Sequence, residues 1–141
     1  MKFHAFRYLS KPIDQQRLFR NLKDALDLYT NIIATIPLET KAGVHSVLTS
    51  HIIYVEAVEH TVVVHTIKED YRVVQNMQYW LDKLHSGVFF QSHRSFIVNF
   101  VYVTDFDHSI IHLYHNQFIA YLTRRKYTAF KNAYLLYMEA H

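Results

Sequence analysis

The sequence contains no cysteine and only two glycines and two prolines among its 141 residues. Without cysteine, the chain can form no disulfide, no thiolate zinc site and no cysteine nucleophile. With so few glycines, it has no glycine-rich loop of the kind that cradles phosphates in nucleotide-binding enzymes. The scarcity of glycine and proline also argues against a disordered or low-complexity chain. These absences favour a folded domain and disfavour several classes of enzyme.

The chain also lacks a long apolar run. No segment approaches the roughly 18 apolar residues that a membrane-spanning helix needs, and the first residues have no apolar core of a signal peptide. Half of the residues are nevertheless hydrophobic and 16% are aromatic, which is ample for a buried core. These features predict a cytoplasmic protein with no membrane partner.

The net charge of +3 is unevenly distributed. Residues 1–41 hold seven Lys/Arg and four acidic residues, whereas residues 42–141 hold eight of each. Because the larger part is neutral overall, a nucleic acid could be bound there only by local clusters of positive charge.

Eleven histidines raise the question of a metal site. His112 and His115 are the one close pair, but strand positions three apart point to opposite faces, so the pair converges poorly. No nucleophile elbow is present, and Glu56 and Glu59 are expected in a solvated turn. The sequence therefore predicts no metal, no cofactor, no small-molecule substrate and no enzymatic activity.

The first part of the chain predicts a strand over residues 3–9 and an amphipathic helix over 14–36, with Asp14 as its N-cap. Pro37 ends the helix, because proline disfavours the helical conformation of the residue before it. Residues 37–43 are interpreted as a linker.

From residue 44 the pattern changes to short strands rich in Val, Ile and Tyr, interrupted by one helix over 76–86 that Asn76 caps. A final helix is predicted over 126–138. Its inward residues are expected to be Phe130, Ala133, Tyr134, Tyr137 and Met138. Strands are expected over 44–49, 52–58, 61–68, 71–75, 88–92, 96–103, 109–114 and 117–122. The fold class is therefore mainly β, preceded by a helical segment.

Two segments contain basic residues that could bind a nucleic acid. His93, Arg94 and Ser95 open the apolar run of residues 93–103, which reads either as a strand beginning at the surface or as a positive fork reaching outward. Residues 124–126 form the basic triplet Arg-Arg-Lys, either a solvated face or a contact for phosphate or guanine. Three cations at a helix N-terminus oppose the helix dipole, which favours a functional role for these residues.

Residues 52–67, 90–99 and 122–125 together resemble the LytTR DNA-binding domain, and the resemblance covers about residues 42–138. It implies an elongated arrangement of small antiparallel β-sheets with one short helix and a C-terminal helix. It also implies binding to double-stranded promoter DNA, with loops and strand ends entering successive major grooves, as a homodimer on paired sites.

Carried over by position, the resemblance implies that His60, Arg94 and Arg125 read bases. His93, Arg124 and Lys126 become phosphate or supporting contacts. Asn99 is expected to be structural and to close the turn after the strand that precedes it. Thr123 stands where the family often has serine, and it keeps the hydroxyl.

Residues 6–13 followed by a helix resemble the last strand and helix of a response-regulator receiver domain, with Lys11 matching the phosphate-pairing lysine. The implied organisation is a receiver remnant over 1–36, a linker over 37–43 and a DNA-binding domain over 44–141, as the output part of a two-component system. The exposed apolar stripe of helix 14–36 predicts either self-association through this helix or mobility of residues 1–36. The alternative is a dimerising protein-interaction module that does not bind DNA directly.

Overall fold

The computed structural model describes residues 34–84 and 87–141. The strand predicted over 3–9 and nearly all of the helix predicted over 14–36 lie outside these residues. Residues Thr35–His141 form one compact unit. Its strands are β1 (Thr35–Thr40), β2 (Gly43–Leu48), β3 (Ile52–Val58), β4 (Thr61–Thr66), β5 (Asp70–Val73), β6 (Phe89–His93), β7 (Phe96–Asn99), β8 (Val103–Phe106), β9 (Ile110–Leu113) and β10 (Phe118–Tyr121). Its helices are α1 (Met77–Lys83) and α2 (Tyr127–Ala140).

The strands form three small antiparallel sheets. The largest has five strands in the order β5-β4-β3-β7-β6, the second has the order β10-β9-β8, and β1 pairs with β2 alone. Every neighbouring pair is antiparallel. The mainly β fold class, with one short helix and a C-terminal helix, is therefore confirmed.

The first hairpin differs from the sequence-based expectation. The sequence predicts a helix up to residue 36 and a linker over 37–43, but β1 begins at Thr35 and pairs with β2 throughout. Ile36 and Leu38 are buried while their neighbours are exposed, as in a half-buried strand. Pro37 is tolerated because it lies on an edge strand.

The side chain of Gln75, distant in the sequence, forms hydrogen bonds with the backbone of β1. Gln75 donates from Nε2 to the Pro37 carbonyl at 2.8 Å and accepts at Oε1 from the Glu39 backbone N–H at 3.0 Å. The Val74 backbone N–H also donates to the Glu39 carbonyl at 2.8 Å. Since these partners lie far along the chain, local sequence around Pro37 could not reveal the strand.

Strand β7 is shorter than the single strand predicted over 96–103. It ends at Asn99, and a 3₁₀ turn over Phe100–Tyr102 separates it from β8. The fully buried Asn99 side chain accepts from the Val101 backbone N–H at 2.9 Å and donates to the Ile52 carbonyl at 2.8 Å. The structural role expected for Asn99 at this turn is confirmed.

The two helices cover different parts of the sheets. The Asn76 side chain accepts from the Tyr79 backbone N–H at 2.9 Å, which confirms the expected cap of α1, and the helix buries Trp80. Helix α2 buries Phe130, whose ring lies 4.9 Å from that of Phe106 and 5.5 Å from that of Phe100. The inward position expected for Met138 is wrong, since its side chain is 54% exposed. Eight residues after Phe130, it is rotated roughly 80° from the buried stripe.

Candidate nucleic-acid interface

His60 lies in the tight turn between β3 and β4. Val58 and Thr61 pair across the hairpin, so Glu59 and His60 form the exposed turn between them. Glu59 has a φ of 57°, in the left-handed region that favours glycine or asparagine. The hairpin therefore projects the His60 side chain beyond the end of the five-stranded sheet.

Arg94 lies in the turn between β6 and β7, which is tied to the neighbouring hairpin. The Ala57 backbone N–H in β3 donates to the Ser95 carbonyl at 2.9 Å. Because β3 and β7 are antiparallel, with Glu56 opposite Phe96, the turns that carry His60 and Arg94 lie at the same end of the sheet. The Arg94 side chain is exposed there.

The basic triplet lies just before α2 and not within it. Arg124–Lys126 form a 3₁₀ turn, and α2 begins at Tyr127, one residue later than predicted. The three cations therefore occupy their own turn, where Arg124 and Arg125 are exposed. The Lys126 ammonium instead reaches back to donate to the Gln91 carbonyl at 3.0 Å.

Ser92 in β6 forms hydrogen bonds with the backbone of the segment before the basic triplet. This side chain is fully buried and donates from Oγ to the Tyr121 carbonyl at 2.8 Å. The Ser92 carbonyl accepts from the Thr123 backbone N–H at 3.0 Å. The pairing of β6 with β7 is irregular between Gln91 and His93, so a bulge at Ser92 turns its polar groups toward this segment.

The structure thus brings the predicted positions together. One link, Ala57 to Ser95, joins the turns of His60 and Arg94; another, Ser92 to Thr123, joins β6 to the segment of Arg125. His60, Arg94, Arg124 and Arg125 are exposed, whereas His93 and Lys126 are half-buried. Their roles in binding stay predictions.

Two supporting residues were missed by the sequence analysis. Gln91 supplies the carbonyl for Lys126, and its Nε2 lies 3.5 Å from the Arg94 carbonyl, at the long limit of a hydrogen bond. Ser92 anchors the segment before the triplet. Neither residue has a local signal, because both act on groups that are brought close only by the fold.

The pKa values of one cation and one carboxyl group in this part of the domain are shifted. Burial lowers the pKa of Lys126, and the nearby charge of Arg125 lowers it further. In the β8–β9 turn, backbone N–H groups of Ser109 and Ile110 donate to Asp107 and lower the pKa of its carboxyl. The β8–β9 turn lies close to the basic triplet, because the Leu122 backbone N–H donates to the Ser109 carbonyl at 2.9 Å and the His108 ring stacks on Tyr127 with 4.1 Å between centroids.

In the histidine pair considered as a metal site, His112 contacts a carboxylate. His112 Nδ1 lies 2.6 Å from the Asp105 carboxylate, in an exposed contact between β9 and β8. Within residues 34–84 and 87–141, no three His, Cys, Asp or Glu side chains are placed to hold a metal ion. In the same part of the chain, no helix is both long and apolar enough to span a membrane.

Comparison with known proteins agrees with this architecture. The family model described as the LytTr DNA-binding domain matches residues 42–134. The solved structure of a LytTr DNA-binding domain from Bacillus cereus is similar, with a TM-score of 0.62 and 22% identity over 71% of this chain and 95% of that one. A search of curated protein sequences finds no match. The three small antiparallel sheets and the family match together show that this chain belongs to the LytTr DNA-binding domain family.

Proposed function

We propose that this chain recognises a specific sequence of double-stranded DNA through three turns. His60 in the β3–β4 turn, Arg94 in the β6–β7 turn and Arg125 before α2 are the base-reading residues. The observation that carries the proposal is the pair of backbone links, Ala57 to Ser95 and Ser92 to Thr123, which gather the three turns. The role is one of binding, with no catalytic step.

The chemistry of the three side chains suits the major groove. An arginine guanidinium can donate two parallel hydrogen bonds to N7 and O6 of guanine, and each good bidentate contact contributes about 1–3 kcal/mol of discrimination. A histidine can donate to a purine N7 or to a phosphate. Since turns project farther than flat sheet faces, they can enter a groove that the sheets cannot.

Arg124, Lys126 and His93 are proposed as phosphate or supporting contacts. Arg124 is exposed beside Arg125, so it can neutralise a phosphate next to a contacted base. Lys126 uses one of its three donors for the Gln91 carbonyl, which leaves two for a phosphate. Such contacts position the protein on DNA and make affinity depend on salt.

The wider context is also proposed. We infer that the chain binds promoter DNA in the cytoplasm as a homodimer on paired sites, as the output part of a two-component response regulator. The likeness of residues 6–13 to a receiver segment supports that context. The proposed division places the receiver remnant within residues 1–36 and the DNA-binding domain within 44–141, with β1 joining it through the first hairpin.

The test is selection from a randomised pool of DNA duplexes, followed by titrations at several salt concentrations. The parent should enrich one motif. Arg94→Ala and Arg125→Ala should each lose about 1–3 kcal/mol of discrimination at one base position. Arg124→Ala should weaken all duplexes and reduce the salt slope by about one.

A matched control is Lys68→Ala, since Lys68 is an exposed cation after β4, at the opposite end of that strand from His60. It removes the same charge and should leave the motif and the salt slope unchanged. Equal weakening of the selected and scrambled duplexes by Arg94→Ala would show that Arg94 does not read a base.

A protein-interaction module without direct DNA binding is the second candidate. The observation in its favour is the exposed apolar face of α2, where Leu135, Leu136 and Met138 are 48%, 66% and 54% exposed. Apolar patches of this kind often mark interaction surfaces. Self-association by light scattering that is insensitive to salt, together with no motif in the selection, would favour this candidate over the first.

A further inference from the structure

The turn that carries Arg94 is held on both sides by hydrogen bonds to one residue, Ser95. The Ser95 carbonyl accepts from the Ala57 backbone N–H at 2.9 Å. The Ser95 backbone N–H donates to Nδ1 of the His93 ring at 3.0 Å. The two residues that flank Arg94 are thus joined to each other across the turn, which restricts the backbone from which the Arg94 side chain projects.

This contact assigns the tautomer of His93. A backbone amide can only donate, so Nδ1 must be the acceptor. In the neutral ring the hydrogen therefore sits on Nε2. The ring is also packed edge-on against Phe96, with 5.7 Å between centroids and an interplanar angle of 78°. Because the ring is half-buried and one of its nitrogens bonds within the turn, His93 is better placed to stabilise the turn than to contact a phosphate.

We propose that His93 is a positioning residue for DNA recognition: its Nδ1 fixes the Arg94–Ser95 turn and thereby aims the Arg94 guanidinium at its base. This inference rests on the proposed function, in which Arg94 reads a base. It assigns His93 the supporting role and not the phosphate contact. Preorganisation of this kind improves recognition because less conformational freedom is lost on binding.

Two substitutions separate the functions of the two ring nitrogens. His93→Asn keeps a side-chain acceptor that can bond the N–H two residues on, as asparagine does in Asx turns, but removes the Nε2 donor. His93→Phe keeps an aromatic ring against Phe96 and removes the acceptor. Amide hydrogen exchange in the free protein checks the turn directly through the Ser95 N–H, and exchange elsewhere in β3 and β7 checks that both variants are folded.

The functional measurement is the ratio of affinities for the selected and the scrambled duplex, together with the salt slope. His93→Asn should retain the parent ratio within about twofold, whereas His93→Phe should lose about tenfold, the effect of one well-formed hydrogen bond. Both variants should keep the parent salt slope. In a double-mutant cycle, His93→Phe should cost no further discrimination once Arg94 is alanine, because it acts through Arg94.

Each outcome decides the inference. Equal weakening of both duplexes by His93→Asn and by His93→Phe, with the ratio unchanged and a salt slope lower by about one, would make His93 a phosphate contact and overturn the positioning role. An unchanged ratio in His93→Phe would also overturn it. If the parent itself prefers no duplex, the proposed function fails and the inference fails with it. If the parent discriminates between the duplexes and His93→Asn does not, the inference alone is refuted.

Discussion

His65 Nε2 lies 2.7 Å from the Glu56 carboxylate across the β3–β4 pair. On the other side of the ring, Nδ1 lies 2.8 Å from the Asp70 carboxylate, a close contact that is not aligned as a hydrogen bond. The ring is stacked on Tyr54 with 4.2 Å between centroids. The imidazole of His65 therefore joins β3, β4 and β5, and the turn between β3 and β4 carries His60. Burial raises the pKa of the Tyr54 hydroxyl, and the charges of Glu56 and Asp70 raise it further.

Replacement of His65 by phenylalanine should destabilise the domain. His65→Phe preserves the stacked ring but leaves the Glu56 carboxylate, which is only 22% exposed, without its donor. We expect the free energy of unfolding to fall by about 2 kcal/mol, less than for a fully buried pair because both carboxylates are partly solvated. Urea denaturation measures the loss, and His65→Phe with Glu56→Gln should recover part of it. A loss below about 0.5 kcal/mol would show that the contact contributes little to stability.

Asn99 and Asn76 form a matched pair for a second measurement. Asn99→Ala removes two hydrogen bonds from a fully buried side chain and leaves the Ile52 carbonyl and Val101 N–H without their partner. We expect a loss of about 3 kcal/mol. Asn76→Ala removes an exposed helix cap and should cost about 1 kcal/mol. Equal losses in thermal or urea unfolding would contradict the structural role assigned to Asn99.

Glu59 should oppose DNA binding. It lies beside His60, carries a negative charge toward the proposed DNA, and adopts a left-handed φ of 57°. Glu59→Asn removes the charge and places there a residue that tolerates this conformation. We expect tighter binding to all duplexes, by several-fold at low salt, with no loss of stability. Glu69→Asn, at an exposed site after β4, is the control and should leave affinity unchanged; tighter binding by the control alone would refute the role of Glu59.

Lys126 should make stability depend on pH at the alkaline end. Its pKa is lowered by burial and by Arg125, so between that lowered value and the ordinary value of 10.5 the folded state binds fewer protons than the unfolded state. Stability therefore rises with pH in this window, since the cost of the charged form is fully present below the folded pKa and disappears above the unfolded one.

The comparison variant is Lys126→Met, which lacks the titrating group. From pH 7 toward 10.5, the free energy of unfolding of the parent should increase relative to that of this variant. Titrations of tyrosine affect both proteins alike and cancel in the difference. A difference that is constant with pH, measured by urea denaturation across the window, would contradict the lowered pKa.

Much of the architecture follows from local patterns. Runs of β-branched residues predict β3 and β4, which are buried on both faces because they lie inside the five-stranded sheet. Asn76 caps α1 as expected, and the three-residue spacing around Phe130 identifies the buried side of α2. The sequence by itself therefore determined the fold class, most strands and both described helices, and it supplied the basic residues proposed as DNA contacts.

Only the tertiary structure decided how these parts meet. Strand β1 depends on Gln75, 38 residues from Pro37, and the basic triplet depends on Gln91 and Ser92, which bond residues 35 and 29 positions away. Local propensity at Pro37 and at Arg124–Lys126 favoured a linker and a helix start. The burial of Ile36 and Leu38 and the hydrogen bonds to distant backbone groups outweighed those preferences, because local propensity is weak compared with packing and pairing in the folded state.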